Sequence, residues 1–263
     1  MDKPLKYSIG ITAIIAIGAG VYFSKTNPSV HNPEAQATVP AVTAVTEASP
    51  PGERYPVPSQ SSERLKALPE SLETSDPTFQ NALMALIGED LFAKVFVSEN
   101  LIRRMVVMVE NATEKNLPLE LVPYLPVPPP YPVIKREEEF FTDPPELEKR
   151  YRIYTDLILK ADPKTLVELY FHYYPLVQKA FLELKPSGHF NDRLIQVIDH
   201  LEATPSVHGS KELLAYNRSY KFEELALEEL SVSQKMLLRL GATSSEKVKA
   251  QLKKIRELII LGP

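Results

Sequence analysis

The chain has 263 residues, of which 44% are hydrophobic and 24% charged, a balance that suits a folded protein. Its formal net charge of -4 gives no general attraction to polyanions and no local basic patch is evident, so nucleic acid is not an expected partner. Cysteine is absent, which excludes disulfides, thiolate metal sites, a cysteine nucleophile and a lipid-modified cysteine.

The first predicted element is a single transmembrane helix over residues 7–23, preceded by a short tail of residues 1–6. Eighteen uncharged residues separate Lys6 from Lys25. As a helix, the predicted span would cover about 25 Å, the lower end of what crosses the hydrocarbon core of a bilayer. The sequence therefore predicts a single-pass membrane anchor.

Charged residues predict the orientation of this anchor. Lys3 and Lys6 precede the span, whereas Lys25 alone follows it closely. The positive-inside rule then places the N-terminus in the cytoplasm and the rest of the chain outside it, with the anchor in the inner (cytoplasmic) membrane. The alternative is a signal peptide, but the small-x-small triplet at 35–37 lies far beyond the apolar run.

Small residues recur at every fourth position of the predicted anchor. They are Ser8, Thr12, Ala16 and Gly20. Such a stripe lets two membrane helices approach closely, which would support a homodimer. The plainer interpretation is that small residues are common in membrane helices, and the sequence leaves both open.

Residues 24–63 are predicted to be a flexible, proline-rich linker. Seven prolines lie among Ser, Thr, Ala, Val and Gln without helical or alternating periodicity: Pro28, Pro33, Pro40, Pro50, Pro51, Pro56 and Pro58. Such a linker reaches about 35 Å root-mean-square as a flexible coil. The linker would let the following domain work at a distance from the membrane.

Residues 64–263 read as one all-α domain. Helix starts are indicated where a capping residue precedes a proline, at Ser75-Asp76-Pro77, Asp143-Pro144 and Asp162-Pro163. A capping box begins at Ser231, and Gly241 stands where that helix would end. Residues 117–131 alternate proline with apolar residues; they predict an extended strap packed on the helices or, alternatively, a proline-rich recognition motif.

The segment 163–185 has almost no polar face, so we expect it to form the central buried helix. Its tyrosines Tyr170, Tyr173 and Tyr174 then need hydrogen-bond partners for their hydroxyl groups.

Charged residues within apolar helices are the main candidates for a site. They are Arg103, Arg104, Arg193, Lys235 and Arg239. A buried charge requires a partner, and Glu110, Asp156 and Gln178 are candidates. Two hypotheses remain: a structural ion-pair network, or an arginine-lined groove for an anionic ligand or a C-terminal carboxylate.

A second candidate cluster contains His189, Asp192, Asp199 and His200. The helical pattern places Asp199 opposite the apolar stripe of its helix, which favours a solvated face over an acid–base or metal site. Common nucleotide-binding, zinc-protease and hydrolase motifs are absent, and neither a metal nor another cofactor is indicated.

Several blocks of the sequence are similar, in the same order, to an uncharacterised bacterial family catalogued as domain of unknown function 3014. The blocks are 174–181, 190–194, 197–205 and 230–241, within a likeness from about Leu68 to Leu258. The chain departs from the family pattern at Glu110-Asn111-Ala112 and at Leu184-Lys185-Pro186. The resemblance implies a bacterial, membrane-anchored protein, and it brings no activity or catalytic residues.

Together these observations predict a membrane-anchored protein of the cell envelope whose domain binds or scaffolds another envelope protein. The alternative is an extracytoplasmic hydrolase without a familiar motif. An exposed apolar groove would favour a binding module, whereas a concave polar cluster with perturbed pKa values would favour an enzyme.

Overall fold

The structure is a computed structural model that describes residues 52–59, 68–125, 127, 131–137, 139–216 and 219–262. The predicted anchor at 7–23 lies outside these residues, as does most of the predicted linker. Among the helices that are described, none is both long and apolar enough to cross a bilayer.

Most of the described chain is helical. The α-helices are α1 (Asp76–Ile87), α2 (Glu89–Val95), α3 (Leu101–Asn111), α4 (Leu147–Lys160), α5 (Pro163–Leu184), α6 (Phe190–Glu202), α7 (Leu225–Glu228), α8 (Val232–Arg239) and α9 (Ala242–Leu261). A short 3-10 helix covers Leu119–Leu121.

The prediction of an all-α domain is wrong, because four strands form an antiparallel sheet. They are β1 (Ile134–Lys135), β2 (Phe140–Thr142), β3 (Glu212–Tyr216) and β4 (Ser219–Phe222), in the order β1-β2-β3-β4. In the central pair Phe140 lies opposite Leu214, a partner more than 70 residues further along the chain. Pairing at that distance leaves no local periodicity in the sequence, and strands of two to five residues are too short to show one.

Helix α5 is the centre of the helical core, as its apolar sequence predicts. It packs against α3, α6 and α9, and nine of its residues are buried. The hydroxyl of Tyr170 donates to the side-chain oxygen of Asn191 at 2.8 Å, and that of Tyr174 donates to Gln178 at 3.1 Å. Two of its tyrosines thus find the polar partners that their environment requires.

Local capping signals are confirmed at two of the predicted helix starts. The carboxylate of Asp162 accepts the N–H of Thr165 at 2.9 Å at the start of α5. Ser231 and Gln234 form the reciprocal hydrogen bonds of a capping box at the start of α8.

Asp143 does not cap a helix. Helix α4 begins at Leu147, and Asp143 instead forms a buried ion pair in which its carboxylate oxygen lies 3.0 Å from the Nζ atom of Lys211. Asp143 is 2% exposed and Lys211 is 6% exposed. The pair joins the end of β2 to the start of β3, where the N–H of Asp143 also donates to the carbonyl of Lys211.

The sheet has its own small hydrophobic core, formed by Leu213, Phe222, Leu227 and Leu238. Leu238 belongs to α8, so this core joins the sheet to the helices. The predicted strap also packs on the helical part: Val122, Tyr124 and Val127 are buried, and Leu125 donates its N–H to the carbonyl of Val95.

We expect the buried ion pair to stabilise the fold only as a complete unit. Lys211→Ala should lower the free energy of unfolding by about 3 to 5 kcal/mol, because it leaves the carboxylate of Asp143 buried without its cation. The triple variant Asp143→Leu, Lys211→Met and Tyr131→Phe removes the pair and the hydroxyl that donates to it. It should unfold within about 1 kcal/mol of the wild-type chain, since an apolar replacement avoids the desolvation cost. Urea unfolding measures the free energy of unfolding of the single and the triple variant. A loss below about 1 kcal/mol for Lys211→Ala would contradict a stabilising role of the ion pair.

Candidate functional site

Residues 52–59, which we name the linker arm, lie against the domain even though they fall within the predicted linker. Glu53, Tyr55 and Val57 are half-buried, and the residues between them are exposed. A period of two is typical of an extended chain that turns one row of side chains towards a surface. The arm therefore turns alternate side chains towards the domain, and its backbone bends at Arg54 and Tyr55.

Two side chains at the start of α6 bind the backbone of the arm. The carboxylate of Asp192 accepts the N–H of Arg54 at 3.0 Å and that of Tyr55 at 2.8 Å. The side-chain amide of Asn191 donates to the carbonyl of Tyr55 at 2.7 Å. These three hydrogen bonds satisfy three of the four polar backbone atoms of Arg54 and Tyr55 and do not involve their side chains.

Tyr170 fixes the orientation of the Asn191 amide. Burial raises the pKa of Tyr170 well above its usual value near 10, so its hydroxyl stays protonated and can donate. It donates to the oxygen of Asn191, which leaves the NH2 group of that side chain for the arm. The start of α6 thus offers the arm one donor and one carboxylate acceptor in a defined arrangement.

Further contacts hold Glu53, the first half-buried residue of the arm, and the turn that contains His189. The hydroxyl of Tyr174 lies 3.4 Å from the carboxylate of Glu53, and a ring nitrogen of His189 lies 3.8 Å from it. Gln178, one of the predicted site residues, donates to the carbonyl of Gly188 and accepts the N–H of Phe190, each at 2.8 Å. Gln178 therefore holds the turn that presents His189. We name the surface formed by Tyr174, His189, Asn191 and Asp192 the arm groove.

An open cleft of about 440 Å³ lies beside the arm groove. Its lining includes Arg54, Lys185, His189, Arg193 and Asp199. Arg193 and Lys185 both pair with Glu110, and Asp199 pairs with Arg256. Lys185, Arg193 and Asp199 are therefore already paired, whereas the guanidinium of Arg54 lies over the ring of Tyr55.

A second concave surface lies between α3, the 3-10 helix and the end of α5. It has a volume of about 260 Å³ and is lined by Asn100, Arg103, Arg104, Val107, Leu121, Ala180, Glu183 and Leu184. We name it the arginine groove. Leu121 is 46% exposed and Leu184 is 50% exposed, so apolar side chains at this surface remain in contact with water.

The two arginines of this groove are held differently. Arg103 pairs with Glu183 at 2.7 Å and with Glu73 at 2.6 Å, and its hydrogen bond lowers the pKa of Glu73 to about 2. In the described part of the chain Arg104 donates to three backbone carbonyls, those of Glu99, Glu120 and Val122, and to no carboxylate. Among the described residues, the hydrogen-bond partners of the Arg104 guanidinium are thus backbone carbonyls.

The other predicted site residues lie elsewhere. Lys235 pairs with Glu228 at 3.0 Å. Arg239 is 8% exposed, donates to the carbonyl of Tyr220, and lies over the rings of Tyr131 and Phe222. The structure thus distributes the predicted residues over separate places. Arg103 and Arg104 line the arginine groove, and Arg193 and Asp199 line the open cleft. Gln178 supports the arm groove, and Lys235 and Arg239 lie near the sheet.

A serine–histidine contact is the arrangement in the described residues that most resembles a hydrolase site. The Nε2 atom of His200 lies 2.8 Å from the hydroxyl of Ser231. That hydroxyl also accepts the N–H of Gln234 as the cap of α8, and Ser231 is 5% exposed. Neither residue lines the cleft or the arginine groove. We therefore interpret the contact as part of the packing between α6 and α8.

The arm groove is not evident from the sequence, because a proline-rich composition predicts an unbound linker. The available signal is the run Arg54-Tyr55-Pro56-Val57, in which a charged residue and a proline alternate with an aromatic and an aliphatic residue. Asp192 was predicted to face solvent, yet it binds the arm.

The chain is similar to a known protein family. The model of a family described as protein of unknown function (DUF3014) matches residues 101–256. This region runs from α3 into α9 and includes the sheet, the arginine groove and the start of α6, whereas the arm and helices α1 and α2 precede it. Neither a curated protein nor a solved structure matches the chain.

The buried contact of His200 predicts a loss of stability in mild acid. Burial, assisted by Arg193, lowers the pKa of His200 below its usual 6.5, so the unfolded chain takes up the proton first. The contribution of His200 to the free energy of unfolding is complete above about pH 6.5, the pKa of histidine in the unfolded chain. It is lost as the pH falls through the lower pKa of His200 in the folded chain.

Urea unfolding at pH 7.5 and pH 5.5 measures this effect. His200→Gln should reduce the loss of stability between the two pH values, because glutamine can hydrogen-bond to Ser231 but does not titrate. His208→Gln, a change at an exposed histidine, is the matched control and should behave as the wild-type chain. An unchanged pH dependence in His200→Gln would show that this contact is not the source.

Proposed function

Because the chain belongs to the DUF3014 family, whose description names no activity, we propose its function from its own surface. The domain is a non-enzymatic binding module of the bacterial cell envelope. Residues 7–23 anchor it in the inner membrane, and the domain lies outside the cytoplasm. It binds a partner protein of the envelope through the arginine groove.

The charge of Arg104 beside exposed leucines is the observation that carries this proposal. An arginine with carbonyl partners alone retains the ability to bind a carboxylate, and the apolar floor beside it would be covered by an aliphatic side chain. The partner would therefore supply an aliphatic residue together with an acidic side chain or a C-terminal carboxylate.

The size of the groove supports a peptide segment rather than a small-molecule substrate. Its volume of about 260 Å³ lies below the roughly 300–1,000 Å³ of typical ligand pockets. Glu183, which is held by Arg103, places a negative charge at one side. Arg104 is thus the residue at which an anionic group would be accepted.

Site-specific photocrosslinking in membranes tests the proposal. A photoreactive residue at Leu184, inside the arginine groove, should capture a defined partner protein. The same residue at Leu182 is the matched control, since Leu182 lies on the same helix, is 43% exposed and does not line the groove. Capture from position 184 should be lost when Leu121→Glu is added, because a second carboxylate at the groove would repel the anionic group of the partner.

Leu121→Glu should change the free energy of unfolding by no more than about 0.5 kcal/mol, because the side chain is half exposed. Equal capture from positions 182 and 184, or capture that survives Leu121→Glu, would contradict binding in the arginine groove.

A further inference from the structure

The linker arm is held by contacts that are easy to release. None of its eight residues is buried; Glu53, Tyr55 and Val57 are half-buried and the others are exposed. Detachment would therefore expose little apolar surface to water. Segments with few buried apolar contacts open with low free energies compared with the core of a domain.

The arm groove, in contrast, contains polar groups whose hydrogen-bond partners are supplied by the arm. Asn191 is 0% exposed, and its NH2 group donates to the arm. Without the arm this donor would lose its partner, and the carboxylate of Asp192 would lose two backbone N–H groups. Polar groups that lose their partners in a half-buried site carry a penalty, so an equivalent segment would readily take the place of the arm.

The requirements on that segment can be read from the bound arm. The groove binds the backbone atoms of residues 54 and 55, which any sequence can offer apart from proline at those positions. The side chains at alternate positions add a sequence preference. Glu53 indicates an acidic residue near His189 and Tyr174, and Tyr55 and Val57 indicate an aromatic and an aliphatic residue against the helical core.

We propose that two copies of this chain associate by exchanging linker arms, so that the arm of one copy occupies the arm groove of the other. The contacts would be those of the closed monomer, made between chains instead of within one. Exchange of an identical element is a low-cost route to self-association, because every contact is already complementary.

We propose the arm of a second copy as the occupant, because the structure shows this sequence bound in the groove. The polar contacts are complementary in the exchange as well: a ring nitrogen of His189 lies 3.8 Å from the carboxylate of Glu53, and the N–H groups of Arg54 and Tyr55 donate to the carboxylate of Asp192. In the wild-type chain the arm of the same copy competes at a high effective concentration, so the closed monomer holds most grooves.

Complementation between two full-length variants tests the exchange. The first, Tyr55→Ala with Val57→Ala, has a weakened arm and an intact groove. The second, Asp192→Asn, has an intact arm and a groove that no longer accepts two N–H groups. Each variant carries a different affinity tag, and the two are mixed and co-purified.

The mixture should contain at least about tenfold more mixed pairs than a mixture of two differently tagged wild-type chains. The matched control replaces Asp192→Asn by Asp199→Asn, the same chemical change later on the same helix at a carboxylate that pairs with Arg256. That chain keeps its own arm in its own groove and should give no enrichment. Association through the predicted membrane helix would be equal in all mixtures and sets the baseline.

Circular dichroism melting shows that each variant is folded before mixing. If folded variants give no more mixed pairs than the wild-type mixture, arm exchange is wrong. If Asp199→Asn complements as well as Asp192→Asn, the pairing does not use the arm groove, and the proposal fails in the same way.

Discussion

The buried side chain of Asn191 constrains the arrangement of the whole region around the start of α6. Its oxygen receives the hydroxyl of Tyr170 and its NH2 group binds the arm, so it links the central helix, α6 and the linker arm in one chain of hydrogen bonds. An amide that is 0% exposed needs both partners. The arm therefore supplies a hydrogen-bond acceptor for a buried side chain of the helical domain.

The second half of α5 brings both candidate surfaces together. Ala180, Glu183 and Leu184 line the arginine groove, whereas Tyr174 and Gln178 support the arm groove. Residues three or four positions apart share a helix face, so the two sets occupy different faces of the same helix. One rigid, centrally packed helix thus supports a surface proposed to bind a partner and a surface that binds the chain's own arm.

Much of the helical architecture could be predicted because its signals are local. The cap at Asp162, the capping box at Ser231 and the apolar run of α5 each depend on residues within a few turns of one another. The sheet could not be predicted in this way. Its central pairing joins Phe140 to Leu214, and the burial of Asp143 depends on Lys211, which is also far away in the chain.

The candidate site was predictable only in part, for a related reason. Charges within apolar helices indicate residues that need partners, and the structure places Arg103 and Arg104 at one groove. The sequence could not show that Arg193 meets Glu110 or that Asp199 meets Arg256, since these contacts depend on how helices pack. The prolines of the arm do not distinguish the two cases, because they occur both in free linkers and in segments bound to a surface.

Hydrogen exchange at the backbone amides of Arg54 and Tyr55 tests the bound state of the arm most directly. In the full-length chain both amides should exchange at least about tenfold more slowly than an unstructured peptide, because both N–H groups donate to Asp192. Asp192→Asn should remove this protection while the amides in the centre of α5 stay protected. Exchange of Arg54 and Tyr55 at the unstructured rate in the wild-type chain would contradict the binding of the arm to the domain.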